Sequence, residues 1–204
     1  MPSALTAALQ RAQRLGLLGP APVATHVEHA EALAELVEPP TAFLDLGSGG
    51  GIPGLVLALR WPHARAALLD SGQRRTEHLR AACVELDLVG RVTVVEARAE
   101  DAARDPRWRG AFDLVVARSF GPPAVTAECS VGFLAAGGAL LVSEPPGGDT
   151  ARWDPDGLAE LGLAGPRLVR TGETSGAVLT LAEPAWARWP RRTGVPERRP
   201  LWRP

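Results

Sequence analysis

Residues 43–54 read Phe-Leu-Asp-Leu-Gly-Ser-Gly-Gly-Gly-Ile-Pro-Gly, and Leu55-Val56-Leu57-Ala58-Leu59 follows directly. Phe43 to Leu46 has the pattern of a short buried strand, and the apolar run after the glycines reads as a helix. A strand that enters a helix through a glycine turn opens a parallel α/β sheet and marks a nucleotide-type ligand site. Glycine is required where the backbone takes positive φ and where a ligand lies against it, because a Cβ would obstruct both. The first N–H groups of the helix have no partner within it and are offered to an electronegative group.

The neighbours of this turn separate two ligand classes. A dinucleotide fingerprint spaces its glycines G-x-G-x-x-G and seats a pyrophosphate at the helix start. Gly47-Ser48-Gly49-Gly50-Gly51 has the first pair but not the third position. Asp45 stands two places before the first glycine. A carboxylate there disfavours a pyrophosphate and suits the sulfonium and amino group of S-adenosylmethionine. A second acid, Asp70, closes the run Ala66-Ala67-Leu68-Leu69-Asp70. It falls at the end of the next predicted strand, where a carboxylate accepts both ribose hydroxyls. Asp45, Gly47, Gly49 and Asp70 are thus candidate donor-binding residues, and the loop favours S-adenosylmethionine over NAD.

The rest of the chain alternates in the same way. Strands are predicted at Ala42–Leu46, Ala66–Asp70, Val92–Glu96, Phe112–Ala117 and Ala139–Ser143, with helical segments between them. Leu79, Ala82, Cys83 and Leu86 mark the clearest of those helices. Such alternation builds parallel crossover units and a sheet covered on both faces. Beyond Pro145-Pro146-Gly147-Gly148, two further strands, Arg167–Thr171 and Ala177–Ala182, flank Gly172-Glu173-Thr174-Ser175-Gly176, a hairpin signal. The expected fold is a Rossmann-like class I methyltransferase, α/β, with a seven-stranded mostly parallel sheet and a C-terminal antiparallel hairpin. Its 204 residues fit a single domain spanning 1–204, with two helices inside 1–40 and a tail over 185–204.

Charge and composition exclude several classes. No run of about 18 apolar residues predicts a membrane span, and no basic-then-apolar leader opens the chain, so a cytoplasmic protein without a membrane partner is expected. Cys83 and Cys129 stand alone without metal-ligand spacing and read as reduced core thiols, so no metal is expected. Net charge is −1, which gives no global field for nucleic acid. The charge is uneven, however. From Trp186 onward Arg188, Arg191, Arg192, Arg198, Arg199 and Arg203 face one acid, Glu197, with Trp186, Trp189 and Trp202 interleaved. Arginine forks beside indole planes suit RNA phosphates and bases. The competing reading is a strap folded over the domain and anchored by its tryptophans.

Three more segments complete a constellation. Arg98-Ala99-Glu100 follows the third strand, where backbone and a carboxylate would meet an adenine edge. Phe112-Asp113-Leu114-Val115-Val116-Ala117-Arg118 delivers Arg118 to the carboxyl-end crevice, and Phe133 to Leu141 reads as a helix stop, a Gly-Gly turn and the fifth strand. In this order the chain resembles the glucose-inhibited division protein B family, guanine-N7 methyltransferases of 16S ribosomal RNA. The resemblance runs from Leu44 to about Leu141 and includes the Gly-Ile-Pro-Gly at 51–54, Arg74-Arg75, and the end from Pro190 to Leu201. It implies S-adenosyl-L-methionine as cofactor, and 16S ribosomal RNA or the small ribosomal subunit as partner of a monomeric enzyme. It also implies donor contacts at Gly47, Ile52, Ala99, Glu100 and Arg118. Arg118 is the candidate for positioning in catalysis; no nucleophile–base pair stands out.

The chain departs from the family in two places. A longer N-terminal helical region with Trp-Asn and Asn-Leu-Thr motifs is missing, and either His26 or His29 stands for the family's histidine. The lysine and glycine common after the fifth strand are replaced by Ser143-Glu144-Pro145-Pro146, which puts an anion at the expected substrate lip. A methyltransferase for a small molecule or another RNA, and a donor-binding module without turnover, therefore stay open beside the ribosomal RNA reading.

Overall fold

The computed structural model describes residues 3–145 and 147–203. Two helices, α1 (Ser3–Arg14) and α2 (Val23–Ala34), precede the sheet. Then come β1 (Ala42–Leu46), α3 (Gly54–Arg60), β2 (Arg65–Asp70), α4 (Gln73–Glu85), β3 (Val92–Glu96), α5 (Ala99–Ala102), β4 (Phe112–Ala117), α6 (Pro123–Val131) and β5 (Leu134–Glu144). After a short turn come α7 (Pro155–Leu161), β6 (Leu163–Thr171), β7 (Thr174–Leu181) and α8 (Val195–Arg198). The strands form one seven-stranded sheet in the order β3-β2-β1-β4-β5-β7-β6. The first five are parallel, and β7 runs antiparallel between β5 and β6.

Strand periodicity sorts the core. Phe43, Leu68, Leu114 and Val116 face Leu5, Leu9, Leu33, Leu55 and Leu79 from α1 to α4. Leu44, Leu69, Val115 and Leu140 face Ala99, Cys129 and Leu158 from α5 to α7, together with Trp153, Trp189 and Trp202. A sheet buried on both faces has this near-continuous apolar strand sequence rather than alternation. Cys83 and Cys129 are free and buried in the two layers, and burial pushes both thiols up from their ordinary range.

Boundaries differ from the predicted ones where irregularity is built in. The fifth strand begins at Leu134, five residues before the predicted Ala139, because Leu134 to Gly138 pair through a register shift opposite Phe112–Leu114. Gly137, at φ +78°, belongs to that bulge instead of a separate turn. The hairpin loop is only Gly172-Glu173, since Thr174 and Ser175 already pair with Thr171 and Arg170. The second of the two helices expected inside 1–40 runs from Val23 to Ala34. Helix α7 had a readable start: Asp154 accepts from the Gly157 N–H at 2.7 Å, Pro155 opens the first turn, and Gly162 ends it left-handed.

Candidate methyl-donor site and the adjoining cavity

The turn after β1 is tied to its neighbours before any ligand is considered. Gly47 and Ser48 N–H both donate to the Leu69 carbonyl at 2.9 Å, and Gly51 N–H donates to the Ser48 carbonyl at 2.8 Å. Gly47, Gly49 and Gly51 all take positive φ. At Gly47 a Cβ would also meet the Phe120 ring at 2.7 Å, so both reasons for glycine hold at that position. Asp70, at the end of β2, accepts from Gly49 N–H at 3.0 Å and from Gly72 N–H at 2.8 Å. Arg75 lies 3.5 Å away from the same carboxylate.

These elements enclose a cavity of about 460 Å³ at the carboxyl ends of β1, β2, β3 and β4. Gly47, Gly49, Ile52, Asp70, Ala99, Glu100 and Arg118 are all on its wall. Asp45 is not. Its side chain follows Phe43 onto the α3 face and lies beneath the turn, where one oxygen accepts from Gly54 N–H at 3.0 Å. The other oxygen is buried without a partner. Burial raises this carboxyl to about 7 against the pull of the Gly54 N–H, while the Ser48 hydroxyl donates to the Asp45 backbone carbonyl at 3.0 Å.

Arg118 leaves β4 half-buried between two cavities. Its Nη2 donates to His26 Nδ1 at 3.2 Å, which assigns the His26 proton to Nε2, 3.2 Å from the Gly19 carbonyl. Its Nη1 is buried and has no partner. Burial lowers the guanidinium from its ordinary value, and the charge of Asp45 works against that shift. His26 therefore belongs to the first cavity. His29 belongs to the second, a space of about 310 Å³ that shares Arg118, Ser119 and Phe120 with the first. Its ring nitrogens meet Ser143 Oγ at 2.9 Å and Thr174 Oγ1 at 3.3 Å. Burial, then the charges of Arg118 and His26, lower its pKa.

Residues 20–144 match the protein family described as GidB, rRNA small subunit methyltransferase G. A ribosomal RNA small subunit methyltransferase G of Prochlorococcus marinus (strain MIT 9313) is 37% identical over 176 residues, covering 79% of this chain and 68% of the relative. One from Rubrobacter xylanophilus is 35% identical, covering 97% and 80%.

The chain belongs to this family.

It is a methyltransferase, and S-adenosylmethionine is its methyl donor. Solved structures agree at the level of fold. An O-methyltransferase from Bacillus cereus in complex with SAH superimposes with a TM-score of 0.63 at 17% identity, covering 89% of this chain and 91% of that one. The O-methyltransferase TomG from Streptomyces achromogenes, in complex with SAM, gives 0.62 at 18%, covering 90% and 91%. This chain also fits the donor on its own geometry. It combines a glycine cradle, an acid at the β2 end, the open N–H groups at the start of α5, and the orphan Nη1 of Arg118.

Several wall residues carry no sequence signal. Leu17, Leu18 and Gly19, from the α1–α2 connection, close the donor cavity from above. Phe120 reaches it through Ser119, a non-glycine residue at φ +54°. Only the tertiary arrangement brings these segments together.

Two expectations are corrected. Glu144 does not present an anion at the lip: it is turned into the fold, where it is paired with Arg152 and accepts from Trp153 Nε1 at 3.0 Å. Arg191 is not available to RNA. Its Nε and Nη2 donate to the two oxygens of buried Glu128 at 2.8 and 2.6 Å, and its backbone N–H adds a third bond at 2.9 Å. The strap reading holds for much of the tail. Trp189 and Trp202 are buried, and Arg109 donates to the carbonyls of Ala185, Trp186 and Trp189. The tail also reaches the donor wall, where Glu100 accepts from Gly194 N–H at 2.8 Å. Arg188, Arg192, Arg198 and Arg199 stay exposed, with Arg188 stacked 4.5 Å from the Trp186 ring.

No described helix is long and apolar enough to cross a membrane. Among the described residues no group of three or more His, Cys, Asp or Glu is arranged to hold a metal.

Proposed function

We propose that this protein transfers the methyl group of S-adenosylmethionine to N7 of a guanine in 16S ribosomal RNA. One observation carries the chemistry: the cavity beside the donor site is built without a poised base. His29, the basic side chain there, has both nitrogens engaged by hydroxyls, and burial and the charge of Arg118 lower its affinity for a proton, which weakens it as a base. A hydroxyl acceptor needs its proton removed as it reacts. Guanine N7 carries an in-plane lone pair and no proton, so it requires only alignment. The names of the relatives, ribosomal RNA small subunit methyltransferases, support the same acceptor.

In this reading the donor supplies an electrophilic methyl on a cationic sulfur. Asp70 accepts the ribose hydroxyls, the α5 start meets the adenine, and Arg118 holds the donor carboxylate through its unpaired Nη1. Phe120 and Ser119 line both cavities and so border the approach of the base. Alignment of this kind contributes roughly 7–11 kcal/mol of barrier lowering in favourable cases. Labelled donor should place its methyl on 16S RNA of small subunits that lack the modification, and the product should be N7-methylguanosine. Label on another atom, or none on the RNA, overturns the proposal.

Asp45 gives this site a pH dependence. Its folded pKa is raised above the ordinary carboxylate value, so its contribution to stability is full at acid pH. That contribution is lost as pH rises towards about 7. A cationic donor next to the turn favours the ionised form and lowers that pKa. Donor affinity should therefore climb as pH rises from about 5.5 to about 7, with proton release on binding. Asp45→Asn should remove the slope in calorimetric titrations, and a slope unchanged in that variant would exclude Asp45 as its source.

A further inference from the structure

The adjoining cavity has a cationic feature that the chemistry above does not use. Arg152 is on its wall, in the short 3-10 turn Thr150–Arg152 that follows β5. Its Nη1 donates to the Glu144 carboxylate, which Trp153 Nε1 holds from the other oxygen at 3.0 Å. The Glu144 side chain is 1% exposed and that of Arg152 is 36% exposed. The acid is thus inside and the guanidinium is at the mouth. Glu144, clamped from two sides, fixes one arm of the arginine fork. The remaining guanidinium N–H groups have no partner among the described residues.

The turn that carries Arg152 is fixed independently. Asp149 accepts from Ala151 N–H at 2.8 Å, and Trp202 Nε1 donates to the Arg152 carbonyl at 3.0 Å. A guanidinium held on one edge and open on the other is organised in advance for a tetrahedral anion, which it binds through paired N–H bonds. Arg118, which also lines this cavity, is engaged by His26 through Nη2 and assigned to the donor through Nη1, so Arg152 is the cation left for the acceptor side.

We propose that Arg152 forms a phosphate subsite for the acceptor RNA strand, with Glu144 as its positioning residue. The inference rests on the ribosomal RNA reading and adds to it where the strand is gripped. A base entering beside Phe120 leaves its own phosphate at the mouth of the cavity, where the guanidinium lies.

The test uses the full chain, labelled donor, and small ribosomal subunits from a bacterial strain lacking the modification. Arg152→Ala should raise KM for the subunit by about tenfold, with the loss in KM and not in kcat. The salt slope of subunit binding should fall by about 0.7–0.9, the share of one phosphate contact. Calorimetric donor affinity should stay at the wild-type value. Glu144→Gln should shift KM in the same direction by less, because the amide still accepts from the fork. If Arg152→Ala melts early through the unpaired buried carboxylate, the double variant Glu144→Gln/Arg152→Gln removes the pair together and should show the same KM and salt effects. Wild-type transfer combined with unchanged KM and slope in these variants overturns the subsite. No transfer by the wild type overturns the RNA reading, and the subsite with it.

Discussion

A chain cut after Pro184 should fail to reach a stable fold and should lose donor binding with it. The cut removes two buried indoles, Trp189 and Trp202, and deletion of one such side chain costs about 3–5 kcal/mol. It also strips Glu128, which is fully buried, of its bidentate partner Arg191; breaking a buried pair in this way costs about 3–5 kcal/mol more. Domains of this size have only about 5–15 kcal/mol of stability. At the donor wall, Glu100 loses the Gly194 N–H that holds it. Circular dichroism melting and calorimetry on the truncated chain check both effects. Native-like melting with reduced RNA affinity would instead make the tail an RNA-binding arm. Arg191→Ala is the milder version: it should destabilise strongly on its own, and Glu128→Gln in the same chain should recover part of the loss.

Arg118→Ala should separate function from folding. The side chain lies half-buried with one nitrogen unpaired, so the folded state bears its desolvation without full compensation. Its removal should shift melting little. Hydrogen bonds to a charged partner contribute about 1.5–3 kcal/mol, so donor affinity should fall roughly 10- to 150-fold. Isothermal titration with the donor gives the magnitude. A collapse of the melting temperature, with affinity intact in whatever remains folded, would make Arg118 a structural residue.

The first four parallel strands were readable because each is a short, largely apolar run, and β1 and β2 are closed by a glycine and an acid. Residues 42–46, 92–96 and 112–117 were placed to the residue. The bulged starts of β5 and β6 were not, because Leu134-Ala135-Ala136-Gly137-Gly138 and Leu163-Ala164-Gly165 carry turn chemistry inside a strand. At the site, acids and glycines at strand ends pointed to the cavity, yet strand alternation sent Asp45 beneath the turn. Glu144 misled for another reason. Its partner Arg152 comes from a turn eight residues on, and a charge read along the chain shows no pairing. The tail arginines divided in the same way, Arg191 facing Glu128 inside while Arg192, Arg198 and Arg199 remain in solvent.

Two of the tail's fastenings lie at the two cavities: Gly194 to Glu100 beside the donor cavity, and Trp202 to the carbonyl of Arg152 beside the other. One segment thus shares its order between two binding events. A ligand that shifts one fastening acts on the other through the same strap, a coupling that needs no direct contact. Linkage makes that coupling reciprocal: whatever factor RNA adds to donor affinity, the donor adds to RNA affinity. Departure of one ligand then loosens the hold on the other by that same factor.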